Sequence, residues 1–214
     1  MYSLLDSIFR NYPFSTFLFW NTNQRIQYRQ FTRNWSPDNR YAFHVKEQGT
    51  KGSLVLDGQQ RLQTLFMALY GHYDQKILFF DLLSGVDPND ISQAKYHFEY
   101  LSSLEAEKRN QDHAGEQLWV PLGDLANLNG RTIAPTAMKY LSQLKLDADS
   151  PEAGRLSQNI SITYSTLRGD DVLNYFTIDK EYGEDGLETD LEEILEIFVR
   201  VNSGGQVLSK SDLM

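Results

Sequence analysis

The chain has 214 residues, of which 41% are hydrophobic and 23% are charged, and this composition is typical of a globular protein. It contains no cysteine, which excludes disulfide frameworks, cysteine-based zinc sites and thiol nucleophiles, and which fits a reducing cytoplasm. No apolar run approaches the roughly 20 residues of a membrane helix. We therefore expect a cytoplasmic protein without a membrane partner.

The formal net charge of −9 is distributed unevenly along the sequence. Residues 179–196 contain nine acids and one base, a net of −8, whereas residues 21–51 contain six bases and two acids, a net of +4. The acidic run is interpreted most simply as a solvated loop and helix face. The basic segment keeps open a local surface for nucleic acid or phosphate, although its interleaved aromatic residues fit buried strands equally well.

The hydrophobic pattern predicts a mixed α/β fold. Leu4, Leu5, Ile8 and Phe9 recur at helical spacing and predict an opening helix. A short buried strand is then predicted over residues 53–56, followed by a helix that Gly71 closes at its C′ position. Further strands are predicted over residues 76–82, 96–101, 118–121 and 172–178, and further helices over 136–144, 151–167 and 191–199.

The turn between the predicted strand at 53–56 and the next helix reads Asp-Gly-Gln-Gln-Arg. The first N–H groups of a helix have no partner within it and carry partial positive charge, which suits an anion. We expect Asp57 to cap the helix or hold Mg²⁺, and Gly58 to leave room for a phosphate. Arg61 can contact phosphate, while Gln59 and Gln60 can donate hydrogen bonds or orient a water. The same residues also fit a purely structural interpretation, in which Asp57 is only a helix cap, Gly58 only a turn residue and Arg61 only a surface residue.

A second polar stretch, FVRVNSGG at 198–205, follows the predicted helix at 191–199. It places a cation, Arg200, and an amide, Asn202, beside two glycines at the end of an element. Considered alone, the stretch also fits an ordinary helix C-terminus, where a cation interacts favourably with the dipole and Gly204 is a natural C′ residue.

Three motifs together resemble those of the N-terminal domain family of GmrSD-type restriction enzymes: DGQQR at 57–61, FVRVNSGG at 198–205 and LSKSDL at 208–213. The resemblance extends over nearly the whole chain. It implies a single nucleotide-binding domain over residues 1–214, with a ParB- and sulfiredoxin-like core made of a small mixed sheet and additional helices. Ser209 and Asp212, within the last of these motifs, form a capping-box signal for a further helix, so we also expect this domain to be part of a longer protein.

The resemblance further implies an activity. The domain would bind a nucleoside triphosphate, ATP or GTP, with Mg²⁺ and hydrolyse it slowly. Hydrolysis or binding would control an HNH-type nuclease domain or subunit that cuts modified phage DNA. The residues that the resemblance assigns to the nucleotide and its hydrolysis are Asp57, Gly58, Gln59, Gln60, Arg61, Arg200 and Asn202. Of these, Asp57, Gln59, Gln60 and Arg61 are expected to be catalytic, and Asp57 is also the candidate Mg²⁺ ligand.

Three other functions stay open from the sequence. The domain could bind DNA without NTPase activity through Arg25, Arg29, Arg33 and Arg40 in the basic segment. It could itself be a ParB-like nuclease, although few carboxylates are clustered. It could instead dock a nuclease partner through the acidic surface of residues 179–196. Self-association into a homo-oligomer is also open.

Overall fold

The structure, a computed structural model, describes residues 1–13, 16–22, 27–38, 44–45, 52–169, 173–179 and 189–202, of which 44–45, 189–191 and 202 are described by their backbone alone. The described helices are α1 (Tyr2–Phe9), α2 (Gln59–Tyr70), α3 (Ser103–Asp112), α4 (Leu122–Ala126), α5 (Ile133–Leu144), α6 (Pro151–Tyr164), continued by a π-helical turn over Ser165–Gly169, and α7 (Thr189–Asn202). The described strands are β1 (Phe17–Thr22), β2 (Tyr28–Arg29), β3 (Asn34–Trp35), β4 (His44–Val45), β5 (Gly52–Asp57), β6 (His72–Tyr73), β7 (Ile77–Asp81), β8 (Phe98–Leu101), β9 (Trp119–Pro121) and β10 (Tyr175–Asp179).

These elements confirm the predicted α/β class with small mixed sheets, while the ParB-like core stays a prediction. Each strand and helix predicted from the pattern is present, with bounds that differ by a few residues. In the part of the chain that the structure describes, no helix combines the length and the apolar character that a membrane crossing requires.

The chain divides into two compact units. The first unit comprises Met1–Phe14, Phe31–Tyr41 and Gln63–Val172. The second unit comprises Ser15–Gln30, Ala42–Leu62 and Leu173–Met214.

The core of the first unit is built around an antiparallel sheet with the strand order β8-β7-β9. The central strand β7 has an apolar sequence and is buried almost throughout, as residues of this kind usually are. Its Phe80 is fully buried. The Phe80 ring stacks on Phe98 at 4.7 Å and meets Phe9 of α1 edge-on at 5.3 Å. Leu156 and Ile160 of α6 are fully buried in the same cluster, and burial of one such side chain stabilises the fold by about 1.5–3 kcal/mol.

A buried carboxylate, Asp81, joins the end of β7 to the start of β9. Its Oδ1 accepts hydrogen bonds from the backbone N–H groups of Leu83, at 3.0 Å, and of Leu118, at 2.9 Å. Burial raises the pKa of Asp81, and the two N–H donors partly oppose that effect. The side chain thus satisfies two buried donors that the sheet itself leaves unpartnered.

Gly71 directly follows Tyr70, the last residue of α2, so the helix ends where the sequence predicts. Its N–H donates to the Met67 carbonyl at 2.9 Å, and its φ is not positive. A Cβ at this position would lie 2.9 Å from Met67 Cα and would collide with the Arg33 carbonyl oxygen. Glycine is required here because the segment carrying Arg33 passes close to the helix end.

Helices α3 and α4 are not predicted from the sequence. Helix α3 buries only Ala106, so its hydrophobic periodicity is weak. A capping box begins it: Ser102 Oγ accepts from the Glu105 N–H, and Glu105 Oε2 accepts from the Ser102 N–H at 2.8 Å. This Ser-x-x-Glu signal is present in the sequence and locates the helix start.

Glu105 makes the stability of the fold depend on pH. Hydrogen bonds from Lys76 Nζ, at 2.7 Å, and from the Ser102 N–H lower the pKa of Glu105 to about 2. Because this pKa lies below the unfolded value, the carboxylate stabilises the fold at neutral pH and loses that contribution as the pH falls toward 2. We expect Glu105→Gln to lower the melting temperature at pH 7 and to lower it less at pH 3. Thermal melts at both pH values measure this, with Glu107→Gln as the control; an equal deficit at both would contradict the role of the charge.

The second unit contains a three-stranded sheet with the strand order β10-β1-β5. The central strand β1 is parallel to β10 and antiparallel to β5. Helix α7 contacts β5, and Ile194 of the predicted apolar stripe is 2% exposed. The predicted stop at Gly204 and the LSKSDL motif lie outside the described residues.

The acidic run is described only in part. Glu192, Glu193 and Glu196 are exposed on α7, while Ile194 between them is buried. This part confirms the predicted helix with acids on its solvent face. Residues 180–188 of the run lie outside the described part of the chain.

Candidate nucleotide site

The DGQQR motif lies where β5 passes into α2. Asp57 is the last residue of β5 and pairs with Leu18 of β1. The carbonyl of Gly58 accepts the first helical hydrogen bond, from the Leu62 N–H at 2.9 Å, so Gly58 occupies the N-cap position. The predicted N-cap role of Asp57 is therefore wrong, because its backbone completes the strand. The first helical turn begins at Gln59.

A β-bulge precedes this turn. The register of β1 and β5 changes between Leu18, which pairs with Asp57, and Phe19, which pairs with Val55, so that Leu56 is the extra residue. A bulge bends its strand and redirects the residues that follow. Here the extra residue lies two positions before Gly58, close to the point where the chain leaves the sheet.

Asp57 and Arg61 form an ion pair across the first turn of α2. Arg61 Nη2 donates to Asp57 Oδ2 at 3.3 Å. The side chain of Asp57 is 30% exposed and that of Arg61 is 28% exposed. The Gln59 amide donates back to the Val55 carbonyl at 2.7 Å, while Gln60 is exposed. Four of the predicted site residues therefore lie within one turn of the helix start.

Gly58 packs against an aromatic ring that no sequence motif assigns to the site. Its φ is +84°, and a Cβ would lie 2.5 Å from Cδ1 of Phe17. The Arg61 guanidinium carbon lies 5.4 Å from the centroid of the same ring. Gly58, which has no side chain, thus leaves room for the Phe17 ring. The role of Gly58 in leaving room for a phosphate stays a prediction. No local pattern marks Phe17, because it reaches the motif only through the β1–β5 pairing.

The motif lines a cavity of about 360 Å³. Its wall is formed by residues from the end of β5 and the first turn of α2, namely Leu56, Asp57, Gly58, Gln59, Gln60 and Arg61. Phe198, the first residue of the second motif, also lines the cavity, from α7. Two motifs far apart in the sequence therefore meet at one concave site.

The family described as GmrSD restriction endonuclease, N-terminal domain, matches residues 1–214, the whole chain. This chain belongs to that family. A comparison with curated proteins finds no match. Membership gives the chain a role in a restriction system, and thus in phage defence, and it supports an interaction with DNA and with a nuclease partner domain.

The GmrSD-family chain does not bring all predicted residues to the cavity in the described part of its structure. Arg200 is 77% exposed and forms an ion pair with Glu196, one turn earlier on α7. Asn202 is the last residue of α7, and its side chain lies outside the described residues. Phe198 is thus the residue of the second motif that is seen to line the cavity, and the nucleotide roles of Arg200 and Asn202 stay predictions.

The arginines of the basic segment are described in part. Arg29 is exposed in β2, in the second unit, while the Arg33 guanidinium lies 5.6 Å from the Phe66 ring in the first unit. Arg25 and Arg40 lie outside the described residues. The DNA-binding role of these arginines stays a prediction.

The donor set of the GmrSD-family site limits the kind of metal it fits. Among the residues that the structure describes, no three His, Cys, Asp or Glu side chains are grouped so as to hold a metal ion. Mg²⁺ is commonly bound through one or two carboxylates together with substrate phosphates and water. A single carboxylate, Asp57, beside an anion-binding helix start fits that mode and does not fit a cage built from protein ligands alone.

Proposed function

We propose that this chain is a nucleoside-triphosphate-binding and hydrolysing regulatory domain of its restriction system. One observation carries the proposal: the DGQQR motif and Phe198 of the distant second motif line a single cavity. Its volume of about 360 Å³ lies in the range of small-molecule sites, which is about 300–1,000 Å³.

The start of α2 supplies the binding chemistry. The backbone N–H groups of Gln59, Gln60 and Arg61 belong to the first helical turn, where no intrahelical acceptor exists and the helix dipole is positive. Such a turn stabilises phosphate oxygens. The Arg61 guanidinium, next to the same turn, adds a charge-assisted donor that can neutralise phosphate charge.

Asp57 and the glutamines supply the chemistry of hydrolysis. Asp57 would hold Mg²⁺, which neutralises charge on the phosphates. Gln59 or Gln60 would orient the attacking water. Both side chains are exposed at the cavity wall, and the Gln59 amide donates a hydrogen bond to the Val55 carbonyl. Gln60 is therefore the better candidate, because Gln59 would first have to give up that hydrogen bond.

The ion pair between Asp57 and Arg61 fits this assignment. The two side chains neutralise each other at 3.3 Å without a ligand. A magnesium–triphosphate complex offers a cation to Asp57 and an anion to Arg61, so both charges stay compensated when the pair opens. Following the family resemblance, we propose that ATP or GTP is the ligand and that its turnover regulates an HNH-type nuclease acting on modified phage DNA.

Arg61→Ala tests the proposal. Removing a charge-assisted contact of this kind costs roughly 1.5–3 kcal/mol, so we expect the Kd for the magnesium complex of ATP or GTP to rise about 10- to 100-fold. Calorimetry measures the affinity, and phosphate release measures the turnover. Arg155→Ala is the matched control, because Arg155 forms an intrahelical ion pair with Glu152 and is also 28% exposed. Equal affinity and rate in Arg61→Ala and wild type would refute the assignment.

A further inference from the structure

We infer that Phe17 is a positioning residue for Arg61: its ring fixes the guanidinium in the orientation in which the site receives the triphosphate. The inference rests on the proposed function and adds a residue that none of the three sequence motifs contains. The guanidinium carbon of Arg61 lies 5.4 Å from the Phe17 centroid, and the ring fills the space beside Gly58.

Phe17 is itself held firmly. It is the first residue of β1, the central strand of the second unit's sheet, and its side chain is 2% exposed. Its N–H donates to the Asn174 carbonyl at 2.9 Å, and the next residue, Leu18, pairs with Asp57. A buried ring carried by the central strand of a sheet has little freedom to move, so it provides a fixed surface for a long and flexible side chain.

The ring and the ion pair hold Arg61 in different ways. Asp57 holds the guanidinium by charge, at 3.3 Å, and this contact must open when Asp57 turns to a bound cation. The attraction between the cation and the face of Phe17 does not compete with Mg²⁺. Phe17 therefore keeps Arg61 in place at the step in which the ion pair is lost.

The glycine adds to this arrangement. With a Cβ at position 58 the Phe17 ring could not occupy its present place, because that Cβ would lie 2.5 Å from Cδ1 and 2.9 Å from Cε1. The same Cβ would lie 3.3 Å from Nη2 of Arg61. The absence of a side chain at Gly58 thus allows the Phe17 ring and the Arg61 guanidinium to lie close together beside the turn.

Phe17→Leu tests the inference, because leucine keeps an apolar side chain but has no aromatic face. We expect the KM for the magnesium complex of ATP or GTP to rise about tenfold, with kcat within about twofold of wild type. Phe19→Leu is the matched control: Phe19 lies on the same strand, with its ring centroid 6.4 Å from that of Phe17. Its KM is expected to stay within about twofold of wild type.

A second measurement needs no nucleotide. Rotation of the Arg61 guanidinium about its Nε–Cζ bond, followed by NMR in the ligand-free protein, is expected to be faster in Phe17→Leu than in wild type or Phe19→Leu. If Phe17→Leu does not fold, replacement of Phe17 by 3,4,5-trifluorophenylalanine weakens the cation–π attraction with little change of shape, and a rise in KM is again expected.

The outcomes separate the two proposals. If wild type binds no triphosphate, the proposed function fails, and the role of Phe17 in it fails too. If wild type binds and Phe17→Leu shows an unchanged KM or an unchanged Arg61 rotation rate, Phe17 has no positioning role, while the proposed function stands. A raised KM together with faster rotation, in Phe17→Leu but not in Phe19→Leu, supports the inference.

Discussion

Gly58→Ala is expected to destabilise the second unit by about 3 kcal/mol and to remove nucleotide binding. The left-handed conformation, with φ at +84°, costs an alanine about 1–2 kcal/mol. Forcing its Cβ to within 2.5 Å of the Phe17 ring adds an overpacking cost of about 1–3 kcal/mol. Urea unfolding measures the loss of stability, and calorimetry with a magnesium triphosphate measures the loss of binding.

Two other glycines separate these causes. Gly115 has a φ of +88°, and no atom lies within 4 Å of the place that a Cβ would occupy, so Gly115→Ala should cost only the conformational part, about 1–2 kcal/mol. Gly154 is helical and equally unobstructed, so Gly154→Ala should stabilise the protein by about 0.5–1 kcal/mol. A Gly58→Ala variant as stable as Gly115→Ala would show that the Phe17 contact imposes no constraint.

Asp81→Ala is expected to destabilise the first unit by about 3 kcal/mol. The change leaves the N–H groups of Leu83 and Leu118 buried without their acceptor, and each such group costs about 1–3 kcal/mol. Chemical denaturation measures the effect. We expect no change in triphosphate affinity in the folded variant, because Asp81 belongs to the first unit.

Asp81→Asn is the matched control, because both hydrogen bonds end on one side-chain oxygen, which an asparagine also has. We expect its stability to lie within about 1 kcal/mol of wild type. Since burial raises the pKa of Asp81, the wild-type carboxyl favours the fold most below pH 3.8 and loses that contribution as the pH rises through the folded pKa. The stability of Asp81→Asn relative to wild type should therefore increase with pH. A large deficit in this variant would contradict the hydrogen-bonding role.

The strand, turn and helix around DGQQR could be predicted because their signals are local. Apolar residues at 54–56 predict the strand, the spacing of Leu62, Leu65 and Phe66 predicts the helix, and Gly58 predicts the break between them. The N-cap is one residue later than predicted, since a strand pairing with Leu18 determines where Asp57 belongs. Local chemistry favours an acid at the cap, and the tertiary pairing overrides it.

The remainder of the site depends on contacts between distant segments. Phe17 reaches Gly58 through the β1–β5 pairing, and Phe198 reaches the cavity through the packing of α7 on β5. Neither contact leaves a periodic signal in the sequence. Helix α3 is missed for a different reason. Its capping box at Ser102 is visible in the sequence, but the helix buries only Ala106, so the hydrophobic periodicity used to predict helices is nearly absent.

The strand order of the second unit's sheet also determines the order in which its strands can pair during translation. Strand β1 pairs with β5, which is translated soon after it, and with β10, which is translated only after the long segment Gln63–Val172. A nascent chain can therefore form the Gly58 turn early, but β1 gains its second neighbour only when residues 175–179 emerge. Phe198 emerges later still, so the set of residues that lines the cavity is complete only after residue 198 has been translated.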